Sequence, residues 1–317
     1  QIAIYRSMDA KTWLFSSFFG EEHGAHDERA WECPDLFEIS IEGNKKTRWV
    51  LIVGVQRGAY SGGSGTQYFV GQFDGEQFIN ENTPDTVLWL DYGRDFYATQ
   101  TWSDIPAADG RRIGISWMSN WLYANQVPTQ SWRSAMTIPQ ELTLKETPDG
   151  LRLCHAFIRE LEVLCQHQVI AADKTQATPG AVFNFDWSEA HRLQFSLELK
   201  DNSTLVLQPM NELEFTFMVQ KGQLTLRCQR HGQIGVAEFD GHFPHDFAVA
   251  LGANRPLSAD LLLDRCSAEL LLDGGRYAIT NLVFPKEGPV QHCAASLRAG
   301  EVIIRDLHRH GLAKVTA

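Results

Sequence analysis

Apolar and polar residues alternate through much of the second half of the chain. Residues 191–199 (HRLQFSLEL) and 213–219 (LEFTFMV) place apolar side chains at every second position, which is the period of a strand with one buried face. Residues 261–272 add two further apolar runs and lead into an Asp-Gly-Gly turn. Many short strands separated by turn signals predict a β-sandwich over residues 170–317.

The first half has shorter apolar runs, broken by Gly, Pro, Asn and Asp. The clearest are residues 49–55 (WVLIVGV), 67–73 (QYFVGQF) and 112–118 (RIGISWM). These runs predict antiparallel sheets over residues 1–153 and are consistent with the blades of a β-propeller. Residues 155–164 (HAFIRELEVL) instead have helical spacing, so we expect a short linker helix within residues 154–169.

Composition narrows the function classes. The 317 residues carry a formal net charge of −11, so a basic surface for nucleic acid is not expected. No apolar stretch approaches the ~20 residues that span a bilayer, so no membrane partner is predicted. The six cysteines form no CxxC pair, and we predict neither a metal site nor a cofactor. Nine Trp and seven Tyr suit sugar recognition and a packed β core equally well.

Glu32 is the strongest candidate for chemistry. It lies in the segment Trp31-Glu32-Cys33-Pro34, between an aromatic ring and a turn stiffened by proline. A carboxylic acid beside apolar groups keeps its proton more readily, which suits a general acid that protonates a glycosidic oxygen. For the Glu-Cys-Pro tripeptide alone, a surface glutamate beside a buried Trp is the better interpretation.

Further motifs change that balance. They are residues 62–71 (GGSGTQYFVG), 90–100 (LDYGRDFYATQ), 117–121 (WMSNW) and 131–142 (SWRSAMTIPQEL). In this order, together with the Glu32 segment, they resemble glycoside hydrolase family 32, the β-fructofuranosidases: invertases, exo-inulinases and levanases. The resemblance implies an all-β fold, a five-bladed β-propeller followed by a C-terminal β-sandwich. It also implies retaining hydrolysis of terminal β-D-fructofuranosyl residues of levan, inulin or sucrose, with Glu32 as general acid/base.

The sequence departs from the family at its nucleophile. Members carry a Trp-Met-Asn-Asp-Pro-Asn-Gly-like segment with the nucleophilic Asp and a later Arg-Asp-Pro segment, and neither occurs here. We therefore expect a partial propeller of about the last three blades, without a nucleophile and inactive alone. The competing interpretation is a non-catalytic fructan-binding or interaction protein. Open propeller edges predict self-association or binding of a separate N-terminal fragment.

The remaining candidates are substrate contacts, and each has a structural alternative. Trp117 and Trp121 are candidates for a wall that packs on the fructosyl ring, or for core residues. Asn120 and Gln100 offer hydrogen bonds to sugar hydroxyls or to their own loops. Cys33 either tunes Glu32 through a weak S–H contact or packs beside it. Asp95 is a substitute nucleophile, a substrate contact or a brace within its blade. The compartment stays open, although a polymeric substrate favours a secreted or periplasmic protein.

Overall fold

The computed structural model describes residues 1–27, 29–187, 189–286 and 290–314. It confirms the all-β fold, in which a propeller unit is followed by a β-sandwich. Two compact units divide the chain. The first comprises Gln1–Trp121 and Ser134–Ile158, and the second comprises Leu122–Arg133 and Arg159–Ala317. No helix among the described residues is long and apolar enough to cross a membrane.

The first unit consists of three antiparallel sheets. Its strands are β1 (Ile2–Arg6), β2 (Leu14–Phe19), β3 (Glu32–Ser40), β4 (Thr47–Val55), β5 (Gly65–Phe73), β6 (Phe78–Asn80), β7 (Leu88–Trp89), β8 (Tyr97–Thr101), β9 (Arg112–Met118), β10 (Ala135–Met136), β11 (Gln140–Thr147) and β12 (Gly150–Phe157). β1 pairs with β2, the second sheet has the order β3-β4-β5-β6 with β7 on β5, and the third has the order β10-β9-β11-β12 with β8 on β9.

The nearly continuous apolar run of β4 has a structural explanation. Val50 and Ile52 lie in an apolar cluster that also contains Leu142 and Leu144 of β11. Leu51 and Val53 point to the opposite face, into a cluster shared with residues of β2. Because neighbouring sheets cover both faces of this strand, apolar side chains occupy successive positions and strict alternation is lost.

The second unit contains two six-stranded antiparallel sheets. Its strands are β13 (Cys165–Ala177), β14 (Gly180–Trp187), β15 (His191–Leu199), β16 (Thr204–Met210), β17 (Leu213–Gln220), β18 (Gln223–Arg230), β19 (His245–Ala253), β20 (Leu257–Asp264), β21 (Ser267–Leu272), β22 (Tyr277–Leu282), β23 (Gln291–Ala299) and β24 (Val302–Leu312), and the α-helix α1 (Ala237–His242) lies between β18 and β19. The sheet orders are β13-β24-β15-β20-β21-β22 and β14-β23-β16-β17-β18-β19. The alternating apolar residues of β17 are buried, as the sequence pattern predicts.

Only the middle of the predicted linker helix, residues 154–169, is helical in the structure. β12 continues to Phe157 by pairing with β11, a 3₁₀ helix covers Arg159–Leu164, and β13 begins at Cys165. His155 and Phe157 face the core because they alternate along a strand, and Val163 is exposed. Residues up to Phe157, which have helical spacing in the sequence, therefore pair as a strand. Too few residues remain before β13 for an α-helix.

The second unit also includes a segment from inside the first half. Leu122–Arg133 belongs to it and contains a 3₁₀ turn, Ala124–Gln126. Tyr123 is fully buried and packs edge-on against Phe239 and Phe243. The predicted boundary near residue 153 assigns this segment to the first unit. Hydrophobic periodicity gives no means to detect that it belongs to the second.

Candidate active site

Glu32 is the first residue of β3 and lies opposite Gly54 of β4. The register between the two strands shifts between Glu32 and Asp35, and Cys33 adopts a positive φ of 50°. Such a bulge bends the strand and re-aims the adjacent side chain. Glu32 is half-buried, so its carboxyl group combines fixed protein contacts with access to solvent.

The buried residue Tyr97, at the start of β8, contacts the Glu32 carboxyl group. Its hydroxyl donates a hydrogen bond to Oε2 at 2.7 Å. The ring fits beside β4 because Gly54 has no side chain: a Cβ there would lie 2.7 Å from the tyrosine ring. Burial, followed by the hydrogen bond to Glu32, raises the pKa of Tyr97 above its ordinary value, so the hydroxyl remains a proton donor.

The end of β8 supports the bulge. Gln100 Nε2 donates to the carbonyl oxygen of Cys33 at 3.0 Å. Asp35 Oδ2 accepts from the Thr101 amide at 2.8 Å and from the Thr101 hydroxyl at 2.7 Å. β8 therefore fixes the backbone on the C-terminal side of Glu32, and Gln100 serves the protein scaffold in this structure.

Cys33 remains a free, exposed thiol beside Glu32. Partial burial, with the neighbouring Glu32 carboxylate as a second cause, raises the pKa of the Cys33 thiol. The residue is therefore protonated near neutral pH and is not activated as a nucleophile. Its positive φ, by contrast, is part of the bulge that directs Glu32.

Two tryptophans continue outward from Tyr97. The ring centroids of Tyr97 and Trp117 are 6.3 Å apart in an edge-on arrangement, and those of Trp117 and Trp121 are 4.9 Å apart. Trp117 is half-buried, whereas Trp121 is 51% exposed. The structure thus joins Glu32 to both predicted wall residues through a continuous series of aromatic contacts.

Asn120 has no exposed surface. Its Nδ2 donates to the carbonyl oxygens of Gly62, Ser64 and Arg94 at 3.1, 3.3 and 2.8 Å. A Cβ on Gly63 would lie 2.1 Å from Asn120 Oδ1, so glycine is needed at this close approach. Asn120 braces two loops and presents no side-chain atom to a ligand in this structure, unlike the predicted sugar contact.

Asp95 is also buried, without exposed surface. It lies between β7 and β8, two residues before Tyr97. In the same loop, Asp91 Oδ1 accepts a hydrogen bond from the Gly93 amide at 2.6 Å, and the Arg94 guanidinium donates to the Ser61 carbonyl. A nucleophile must reach the substrate, so this placement favours a bracing role for Asp95 over a substitute nucleophile.

The site therefore brings together a carboxyl group and a series of aromatic rings. Among the residues that the structure describes, no group of three or more His, Cys, Asp or Glu is arranged to hold a metal ion. A carboxyl group held by a tyrosine beside two tryptophans is an arrangement that suits the binding and hydrolysis of glycosides.

Comparisons with known proteins specify the family. The sequence model of the Glycosyl hydrolases family 32 N-terminal domain matches residues 1–155, and that of the Glycosyl hydrolases family 32 C terminal matches residues 159–306. The chain belongs to glycosyl hydrolases family 32.

The chain resembles curated fructan-degrading enzymes. It is 37% identical to a levanase of Bacillus subtilis (strain 168), over 99% of this chain and 47% of that protein. It is 31% identical to an extracellular exo-inulinase of Aspergillus niger, over 92% of this chain and 56% of that protein. The chain thus spans about half the length of these curated relatives.

Solved structures confirm the fold. The exo-inulinase of Aspergillus awamori superimposes with a TM-score of 0.83 at 25% identity, covering 98% of this chain and 62% of that one. The β-fructofuranosidase of Schwanniomyces occidentalis, complexed with fructosyl-erythritol, gives a TM-score of 0.73 at 25% identity, covering 96% and 64%.

Sequence reasoning did not identify Tyr97 or Gly54. Tyr97 lies in the GRDFYA motif, but the motif drew attention to its aspartate. The contact joins residues 65 positions apart, a separation at which periodicity carries no information. A glycine inside a strand signals a close approach, so Gly54 in the run 49–55 was the available clue.

We expect the change Tyr97→Phe to lower kcat by roughly ten- to a hundredfold, because hydrogen bonds to charged groups contribute about 1.5–3 kcal/mol. The measurement is kcat and KM for fructose release from levan by a nucleophile-containing form, with kcat expected to fall and KM to change little. Tyr68→Phe is the matched control, because this buried hydroxyl accepts from the Leu153 amide instead. An unchanged kcat in Tyr97→Phe, or a loss of the same size in Tyr68→Phe, would contradict a positioning role for Tyr97.

Proposed function

We propose that this chain supplies the acid/base half of an exo-β-fructosidase that removes terminal β-D-fructofuranosyl residues from levan, inulin and sucrose. The observation that carries the proposal is the half-buried Glu32 carboxyl group, fixed by Tyr97 at 2.7 Å and flanked by Trp117 and Trp121. The names of the levanase and exo-inulinase relatives support this substrate class.

Glu32 has two roles in the proposed retaining mechanism. As an acid it protonates the oxygen of the leaving sugar, and as a base it then takes a proton from the water that hydrolyses the fructosyl-enzyme. The covalent intermediate requires a second carboxylate about 5–5.5 Å away. This sequence lacks the family segment that carries it, and Asp95 is buried. We infer that the chain alone has little hydrolase activity.

Trp117 and Trp121 form the proposed wall for the terminal fructosyl ring. Aromatic faces pack well against the C–H groups of sugars. The rings are uncharged, as is the sugar, so no charge is buried without a partner. Asn120 acts indirectly, through the loop that carries Trp121.

The β1–β2 hairpin supports the proposed association with another chain. Tyr5, Phe15 and Phe18 are each at least half exposed, and their rings form one series, with centroids 5.7 and 4.7 Å apart. The opposite face of the hairpin packs on the core through Ile2, Ile4 and Phe19. An apolar face on a two-stranded sheet is costly in water and favours pairing with a second copy or with an N-terminal fragment.

The test combines activity and assembly. We expect little fructose release from levan, inulin or sucrose by the 317-residue chain. Activity should return when a separate segment carrying the nucleophile is added, because that segment restores the second carboxylate. Light scattering at several concentrations should detect self-association or complex formation.

Robust turnover by the chain alone, lost in Glu32→Gln, would reveal another nucleophile, with Asp95 as the first to examine. The association would be contradicted if the chain stayed monomeric at every concentration and did not bind the added segment. Levan binding that never leads to fructose release under any of these conditions would instead favour the non-catalytic fructan-binding protein, which the missing nucleophile supports.

A further inference from the structure

The connection between β2 and β3, which leads into Glu32, is tied by a hydrogen bond between two of its own residues. The indole Nε1 of Trp31 donates to the carbonyl oxygen of Ala25 at 3.0 Å. Trp31 is buried and directly precedes Glu32 in the chain. The placement of this indole therefore fixes the backbone on the N-terminal side of the carboxyl group.

The side chain of Gln67, on β5, holds Ala25 at both of its backbone groups. Gln67 Oε1 accepts from the Ala25 amide at 2.8 Å, and Gln67 Nε2 donates to the Ala25 carbonyl oxygen at 2.9 Å. Gln67 and Trp31 thus donate to the same carbonyl oxygen. Because β5 belongs to the sheet that begins with β3, Gln67 anchors the connection to the sheet that carries Glu32.

Two glycines leave the space that this arrangement needs. Gly24 has a φ of +73°, and a Cβ there would lie 2.6 Å from Gln67 Oε1. Gly20 has a φ of +104°, and a Cβ there would lie 2.2 Å from the Trp31 ring. Any other residue would be strained in its backbone and would collide with the amide or the indole.

Gln67 is a polar residue in apolar surroundings. It has no exposed surface, and Phe69, which follows on the same face of β5, lies in one apolar cluster with Trp31. An apolar side chain would be buried here without needing any hydrogen-bond partner. The amide instead selects one conformation of the connection, because its donor and acceptor match the two backbone groups of Ala25.

We propose that Gln67 is a positioning residue for Glu32. It acts through Ala25 and Trp31 on the N-terminal side of the carboxyl group, opposite the anchor that Gln100 provides at the Cys33 carbonyl. The inference rests on the proposed function, because it takes Glu32 as the proton-transfer group. A misplacement of about 1 Å can lower the rate of a reaction about 10²-fold, so the loss of one anchor lowers kcat more than substrate affinity.

The change Gln67→Met removes both hydrogen bonds at nearly constant volume. In a nucleophile-containing form, we expect kcat for fructose release from levan to fall by roughly ten- to a hundredfold with little change in KM. Gln67→Glu should recover part of kcat, relative to wild type at the same pH, as the pH falls. A neutral carboxyl group can both donate to and accept from Ala25, whereas an ionised one only accepts.

Gln140→Met is the matched control, because Gln140 is also buried in the first unit but pairs with His155. Hydrogen exchange of the 317-residue chain, followed by mass spectrometry of peptides covering residues 20–32, monitors the connection independently of activity. We expect faster exchange in Gln67→Met than in Gln140→Met.

Unchanged exchange in these peptides, an unchanged kcat, or an equal fall in kcat in the two methionine variants would overturn the positioning role of Gln67. In each case the proposed function stands if hydrolysis by the wild type is lost in Glu32→Gln. Hydrolysis that is absent from the wild-type nucleophile-containing form, or that Glu32→Gln leaves intact, would overturn the proposed function itself.

Discussion

Changing Glu32 to glutamine should remove nearly all fructan hydrolysis from any form of the protein that carries the nucleophile. Glutamine keeps the shape of the side chain but neither gives nor takes a proton. General acid–base catalysis contributes about 10²–10⁴-fold, and members of one catalytic unit fail together. We therefore expect kcat on levan to fall by roughly 10³-fold or more, with a smaller change in KM.

The leaving group provides a sharper readout. A fructoside whose leaving group is a weak base departs with little need of a proton, so its rate of fructosyl-enzyme formation should fall much less in Glu32→Gln than the rate with levan. Glu38→Gln is the matched control, because Glu38 lies on the same strand but accepts a hydrogen bond from Thr47. Equal losses for both leaving groups, or a Glu38→Gln loss as large, would refute the acid role.

Arg230→Met should strongly destabilise the second unit. The Arg230 side chain is fully buried. It donates to the carbonyl oxygens of Phe243 and Leu282 at 2.7 and 2.8 Å and to the Tyr123 hydroxyl at 2.9 Å. Its guanidinium also lies 3.7 Å from the centre of the Phe243 ring. Methionine fills similar space but removes all of these hydrogen bonds from a buried site.

We expect the free energy of unfolding to fall by about 3–5 kcal/mol, as for other broken buried polar networks. Urea denaturation followed by near-ultraviolet circular dichroism measures the change. Arg227→Met is the control, because Arg227 lies on the same strand, is 44% exposed and pairs with Asp246; exposed pairs contribute only about 0–1 kcal/mol. If the two variants lost equal stability, burial would not be the cause.

The sequence predicts those features that depend on local patterns. Alternation predicts strands of the second unit such as β15 and β17, whose alternating apolar residues are buried. Residues 155–164 show the limit: their helical spacing is real, but pairing with β11 decides the structure up to Phe157. That pairing joins separate segments, and single-sequence periodicity does not detect it.

The candidate site divides in the same way. Glu32 was identifiable because its segment belongs to an ordered set of motifs. Its partner Tyr97 was not, since the contact depends on the space left by Gly54. Asn120 was predicted to meet a sugar because amides bind hydroxyls well, but the glycine-rich loop at residues 61–65 leaves carbonyl groups that a buried amide satisfies instead.

The segment Leu122–Arg133 has a consequence for how hybrids of this family can be made. Because it belongs to the second unit, the polypeptide enters that unit, returns to the first and enters again after residue 158. A chimaera spliced at one junction near that point would inherit Arg230 from one parent and Tyr123 from the other. Exchange of an intact C-terminal unit thus requires that two segments be transplanted. Recombination at a single breakpoint succeeds only between parents that have the same residues at both contact positions.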